Sequence, residues 1–210
     1  MLAFTDYVKI LVGLIAIVNP VGAIPIFISL TSGMERTARH AVINTVAVTV
    51  STILLCSLVF GESLLGLFGI SIHSFRVGGG ILLLLMAVSM LHARVSPTAQ
   101  TEEEARESKN KESIAVVPLS IPLLAGPGAI STIVIDAHKG TGLAHYGLIA
   151  VEIGILTLLL WLALRLSPLI AKRISATGIN VFTRIMGLIL AAIAVEFIAN
   201  GIKGLFPALA

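Results

Sequence analysis

The chain alternates long apolar stretches with short polar ones. Six apolar segments stand out, at roughly 8–31, 41–60, 75–93, 114–136, 143–164 and 183–204. A helix of about 20 residues rises 1.5 Å per residue and crosses a hydrocarbon core of about 30 Å. Each segment is long enough for that. The runs are too continuous for the apolar-polar alternation of a membrane β-strand. The pattern therefore predicts an all-α membrane protein with six transmembrane helices.

The polar interval between the third and fourth segments divides the chain. Nine of the 25 charged side chains fall between Arg94 and Glu112. This predicts a first three-helix repeat over 1–93, a cytoplasmic polar linker over 94–113 and a second three-helix repeat over 114–210. The first apolar run lacks a basic flank before it and a small-residue cleavage site after it, so it reads as a retained span rather than a signal peptide.

Two pairs of motifs echo each other across the linker. Asn19-Pro20-Val21-Gly22-Ala23-Ile24 in the first segment matches Gly126-Pro127-Gly128-Ala129-Ile130-Ser131 in the fourth, with Pro20 and Pro127 107 positions apart. Phe75-Arg76-Val77-Gly78-Gly79 resembles Phe182-Thr183-Arg184-Ile185-Met186-Gly187, with the arginines 108 apart. An odd number of spans per half forces the second half to cross in the opposite sense, giving two inverted three-helix repeats, a plan common among secondary transporters.

Proline removes a helix donor and clashes with the turn before it, and glycine weakens the helix further. The first and fourth helices are therefore expected to break near the midplane, at Asn19–Gly22 and Gly126–Gly128. Freed backbone groups at that depth need a cavity or protein partners. A half-helix starting after each break points its unpaired amides and positive dipole end at the midplane, where they suit a carboxylate. Asn19, Pro20, Gly22, Ala23, Gly126, Pro127, Gly128 and Ser131 are the candidate substrate-binding residues on this reading.

Charge then sets orientation and the remaining candidates. Nine Lys/Arg residues lie in the first-to-second, third-to-fourth and fifth-to-sixth connections, and four on the opposite side. Basic loops stay cytoplasmic, so both termini are predicted to be non-cytoplasmic. Glu196 lies inside the sixth segment, where a carboxylate faces a cavity, finds a partner or stays protonated. It is read as a coupling group or a partner for a substrate ammonium, against a structural pair with Arg76, Arg184 or Lys203. Asn200 and Lys203 share its helix face. Arg76 and Arg184 are gating candidates, or cations that snorkel to the headgroups. Glu152, early in the fifth segment, is read as interfacial.

Composition agrees: 57% of residues are hydrophobic and 12% charged, about half the charged fraction of a soluble domain. The basic residues sit at segment ends without interleaved aromatics, which argues against nucleic acid. The single Cys56 excludes an internal disulfide. The chain has no nucleotide-binding Gly-Lys-Ser/Thr loop, zinc-protease spacing or nucleophile elbow, so no enzymatic activity, cofactor or metal is expected.

With these motifs in view, the sequence resembles the MarC family of multi-span inner-membrane proteins along nearly its whole length. The resemblance rests on Asn19-Pro20-Val21-Gly22, Phe68-Gly69-Ile70-Ser71, Arg76-Val77-Gly78-Gly79-Gly80, Pro118-Leu119-Ser120-Ile121-Pro122-Leu123, Ala125-Gly126-Pro127-Gly128 and Thr183-Arg184-Ile185-Met186-Gly187-Leu188. It implies residence in the cell inner membrane and transport of small neutral amino acids of the glycine and alanine type. The rival readings are a passive small-solute channel and a membrane regulatory subunit. The expected partners are a small-molecule substrate and the lipid bilayer, with homo-oligomer formation left open.

Overall fold

A computed structural model of the protein describes residues 2–31, 33–92, 120 and 124–209. Among them are seven α-helices and no strand: α1 (Phe4–Val18), α2 (Ile24–Leu30), α3 (Arg36–Leu67), α4 (Ile72–Leu91), α5 (Pro127–His138), α6 (Leu143–Arg173) and α7 (Ala176–Leu205), followed by a 3₁₀ turn at Pro207–Leu209. The expected 94–113 linker and the first part of the fourth apolar segment lie outside the described residues.

Four helices are long and apolar enough to cross a membrane, within Arg36–Leu67, Ile72–Leu91, Leu143–Ile170 and Thr177–Leu205. The first expected span is divided at the expected break into α1, 15 residues long, and α2, seven residues long. The fourth is described from Leu124 onward, and its helix α5 has 12 residues. Among the described residues four helices are therefore full-length spans, and the first and fourth apolar segments give shorter helices. The reason is local: the Asn-Pro and Gly-Pro motifs interrupt the hydrogen-bond ladder. The long helices also extend past the apolar segments, because once the ladder has formed it continues into polar flanks until a cap stops it.

Those caps are explicit in the sequence. Gly69 ends α3 with a φ of +65°. The Ile70 amide reaches the Leu65 carbonyl at 2.9 Å, and the Gly69 amide reaches Gly66 at 3.1 Å, the paired bonds of a glycine-terminated helix. Ser71 then caps α4, its hydroxyl accepting the Ser74 amide at 3.1 Å, and Ser175 caps α7 in the same way through Gly178 at 3.2 Å.

α5 is the central element, with every residue from Ser131 to Ala137 buried. It is apolar nearly all round, as a helix enclosed by others must be. Leu14 and Ile17 of α1, Val50 and Leu54 of α3, Leu83 of α4, and Ile149, Ile153 and Leu156 of α6 join it in one core. Large apolar side chains such as Val48, Phe60, Leu158, Leu188 and Val195 point outward from the long helices. That outer surface suits lipid, not water.

The most extensive helix pairing joins α4 to α7, and α3 pairs with α6. The α4–α7 contact runs through glycine. A methyl group at Gly80 would sit 3.0 Å from the Ala194 carbonyl oxygen, and one at Gly187 would sit 3.2 Å from that of Ala87. A methyl at Gly201 would sit 3.0 Å from the His73 carbonyl. The partners descend along α4 as they ascend along α7, so the two helices are antiparallel. Small residues let their backbones approach closely. Gly187 lies 107 positions after Gly80, and Ala194 lies 107 after Ala87, so the Gly80–Ala194 and Gly187–Ala87 contacts are reciprocal.

Candidate functional site

The break in the first span is built from three side chains and one missing one. Asn19 takes the left-handed conformation, φ 46° and ψ 66°, which asparagine tolerates better than most residues. Its Oδ1 accepts the Gly22 amide at 3.1 Å. A Cβ at Gly22 would collide with the Asn19 side-chain amide, so only glycine lets that amide fold over the turn. Pro20 donates nothing, and helix resumes at Ile24 with Pro25 in its first turn. Asn19, Pro20 and Ala23 are buried.

The second break ends at Gly126, whose backbone is extended, and Pro127 and Gly128 already belong to the first turn of α5. Pro127 suits that place because its missing amide would have no helical partner. The Ser131 and Thr132 hydroxyls donate to the Gly128 carbonyl at 3.1 and 2.9 Å. A methyl at Gly128 would lie 2.7 Å from Leu83 and 3.7 Å from Ile17, and one at Gly79 would lie 2.8 Å from Ser131. Ile17 is two residues before Asn19, so α5 starts beside the end of α1. The expected pair of facing half-helices is unequal, since α2 is a seven-residue piece and α5 is the longer helix.

A cavity of about 400 Å³ opens beside this junction. α1 contributes Asp6, Lys9, Ile10, Gly13 and Ile17; α4 contributes Arg76; α5 contributes Thr132, Ile135 and Asp136, with Lys139 just beyond its end; α7 contributes Ile193, Glu196, Phe197 and Asn200. Ile17 and Thr132 are the wall residues next in sequence to the two breaks. None of the eight break residues predicted to bind substrate lines this cavity. It runs along α1 and the later part of α5, toward the side that holds the start of α1, the start of α4 and the end of α7.

The wall carries three carboxylates, Asp6, Asp136 and Glu196, and three cations, Lys9, Arg76 and Lys139. Lys9 pairs with Asp6 at 3.1 Å, and Lys139 pairs with Asp136 at 2.6 Å. Asp136 is 2% exposed, unlike the other acids of the wall. The Glu196 Oε1 accepts the Asn200 side-chain amide at 2.7 Å. Arg76 makes no hydrogen bond or ion pair among the described residues, and its Nε is buried without a partner. Of the three cations of the wall it is the one without a carboxylate partner.

Glu196 faces this cavity and makes no ion pair with Arg76, Arg184 or Lys203 among the described residues. Arg184 is exposed on α7 and does not line the cavity, so the two arginines at equivalent sequence positions have different surroundings.

A second polar group sits behind the wall. The Tyr7 hydroxyl lies 2.8 Å from Nδ1 of the buried His145, whose Nε2 lies 3.0 Å from the Asp136 backbone carbonyl. A carbonyl can only accept, so Nε2 carries a hydrogen, and Nδ1 is free to accept from Tyr7. Gly140 leaves room for the ring, since a Cβ there would lie 2.8 Å from it. Glu152 is 6% exposed, and its Oε2 has no partner. The interfacial reading of Glu152 is therefore corrected. α6 begins nine residues earlier at Leu143, so Glu152 lies more than two turns inside the helix, on its buried side.

Sequence reasoning missed Asp136, Lys139, Thr132, His145 and Tyr7. Thr132, Asp136 and Lys139 recur at helical spacing after Gly126-Pro127-Gly128, a stripe on one face that points away from the break. Asp136 and Lys139 instead read as the polar end of a span. Tyr7 and His145 carry no local signal of their pairing.

Residues 4–206 match the family described as MarC family integral membrane protein. The chain is 45% identical over 206 residues to the UPF0056 membrane protein YhcE of Escherichia coli (strain K12), covering 98% of this chain and 96% of that protein. It is 40% identical over 207 residues to the UPF0056 membrane protein YvbG of Bacillus subtilis (strain 168), covering 98% of each. A UPF0056 membrane protein of Methanocaldococcus jannaschii is 39% identical over 200 residues, with 95% of this chain and 88% of the other covered. No solved structure matches the chain.

Proposed function

The chain belongs to the MarC family of integral membrane proteins, and from that premise we propose that it is a secondary transporter of small neutral amino acids, working by alternating access. The observation that carries the reading is the charge-balanced cavity, three carboxylates against three cations, with Arg76 unpaired. A small zwitterion complements such a wall. Arg76 offers a planar donor fork to the substrate carboxylate, and Glu196, held by Asn200, offers an acceptor to the ammonium. The volume falls in the usual range for small-molecule sites, about 300–1,000 Å³.

Alternating access needs a fold that can open to either side, and two inverted three-helix repeats supply it. The reciprocal Gly80–Ala194 and Gly187–Ala87 contacts support that arrangement, because a two-fold axis in the membrane plane turns each into the other. The pairing of α3 with α6 supports it too. With the basic connections cytoplasmic, the cavity faces outward across the inner membrane.

The test is uptake of labelled alanine into vesicles containing the purified protein. Saturable uptake, competed by unlabelled glycine, is expected. Flux that rises linearly with concentration would assign a channel instead, and no flux would overturn the proposal.

A further inference from the structure

The cavity wall conceals a carboxyl group that the substrate site does not use. We propose that Glu152 carries the coupling proton of transport, exchanging it with the cavity through Asp136. This deepens the transport reading and rests on it.

The geometry sets the two acids apart. Asp136 lines the cavity and holds Lys139 at 2.6 Å, and Arg76 also acts on it electrostatically. Glu152 does not line the cavity; it is buried on α6, the helix whose His145 holds the Asp136 carbonyl, and the two carboxylates act on each other through space. It makes no ion pair among the described residues, and its Oε2 is buried without a partner. The other polar groups nearby are committed. Both ring nitrogens of His145 are taken, one by Tyr7 and one by the Asp136 carbonyl, and Lys9 holds Asp6 at 3.1 Å. An unpaired charge in a dry interior is costly, and a second negative charge beside Asp136 adds repulsion. A proton on Glu152 removes both costs.

The step is a plain proton transfer. The O–H bond of Glu152 breaks, its proton is relayed to a carboxylate oxygen of Asp136, and Asp136 passes it to water in the cavity; uptake runs the same path backward. Substrate enters the balance through its carboxylate, which competes with Asp136 for Arg76 and Lys139. With those cations drawn away the surroundings of Glu152 become more negative, so the proton stays. Substrate and proton are therefore held together and cross in the same direction.

The test uses the full chain in vesicles. An inward proton gradient should drive accumulation of labelled alanine in the native protein. Glu152→Gln should lose at least nine-tenths of that accumulation yet keep alanine-for-alanine exchange, which needs no net proton movement. Undiminished gradient-driven accumulation in Glu152→Gln would overturn the proposal. A second readout does not depend on substrate: the infrared carbonyl band of a protonated carboxyl group should be present in the native protein and missing in Glu152→Gln. Should that variant fail to fold, Glu152→Asp must shift the band. An unchanged band in either variant would overturn the proposal. Absence of alanine flux in the native protein, with the band present, would overturn the substrate assignment and leave Glu152 as a proton carrier.

Discussion

The hydroxyl of Tyr7 and Nδ1 of His145 lie 2.8 Å apart, joining the first turn of α1 to the first turn of α6 across 138 positions of chain. Through Nε2 the same ring reaches the backbone of Asp136, so one imidazole ties α1, α5 and α6 together on the cavity side. Removing the phenol oxygen leaves a buried ring nitrogen without its donor, which costs about 1–3 kcal/mol. Tyr7→Phe should lower the thermal midpoint of the detergent-solubilised protein. His145→Ala should lower it further, and the double variant should fall by less than the two losses combined, because both changes break one bond. Additive losses would mean that the two side chains act independently.

The two arginines predict opposite outcomes. Arg76 lines the cavity with a buried, unpaired Nε, while Arg184 is exposed on α7. A hydrogen bond to a charged group contributes about 1.5–3 kcal/mol, so Arg76→Gln should raise the KM for alanine roughly 10- to 100-fold. Arg184→Gln should stay close to the native value. Equal effects in the two variants would remove Arg76 from the substrate site.

The glycine seam predicts a steric series. A side chain at Gly80 meets Ile198 at 2.7 Å and the Ala194 carbonyl at 3.0 Å, and one at Gly187 meets Met90 at 3.0 Å and the Ala87 carbonyl at 3.2 Å. Overpacking of this kind costs about 1–3 kcal/mol. Gly80→Leu and Gly187→Leu should both destabilise the protein in thermal unfolding. Gly78→Leu, where a Cβ meets nothing within 4 Å, should not.

Orientation is open to direct labelling. In a Cys56→Ser background, single cysteines at positions 3 and 208 should react with an impermeant thiol reagent in intact cells, and one at position 104 should be protected. The reverse pattern would invert the protein and turn the cavity toward the cytoplasm.

How much of this was legible in the sequence depends on the distance over which each signal acts. The break at Asn19–Gly22 was readable because its causes lie within four residues: a proline without a donor, an asparagine that accepts a left-handed φ and a glycine that makes room for it. The α3–α4 corner at Phe68-Gly69-Ile70-Ser71 is equally local. Glu196 stood out because it interrupts an apolar run, and its bond to Asn200 follows from their spacing of four residues. Asp136 was passed over and Glu152 was read as interfacial because charge near a span end looks topological. Their burial depends on how α5 is enclosed, which no local pattern states. The substrate site was drawn at the breaks themselves, whereas the charged cavity lies along α1 and α5, on the side of the breaks that holds the start of α1 and the end of α5.

The α4–α7 contact sets how these two helices can move against each other. Most helix pairs interlock side chains like gear teeth, and sliding must lift one set over the other. At Gly80 and Gly187 the teeth are missing, and each helix rests on the other's smooth main chain. Such a seam resists separation but offers few steps against a small slide, so it works as a bearing between the two helices.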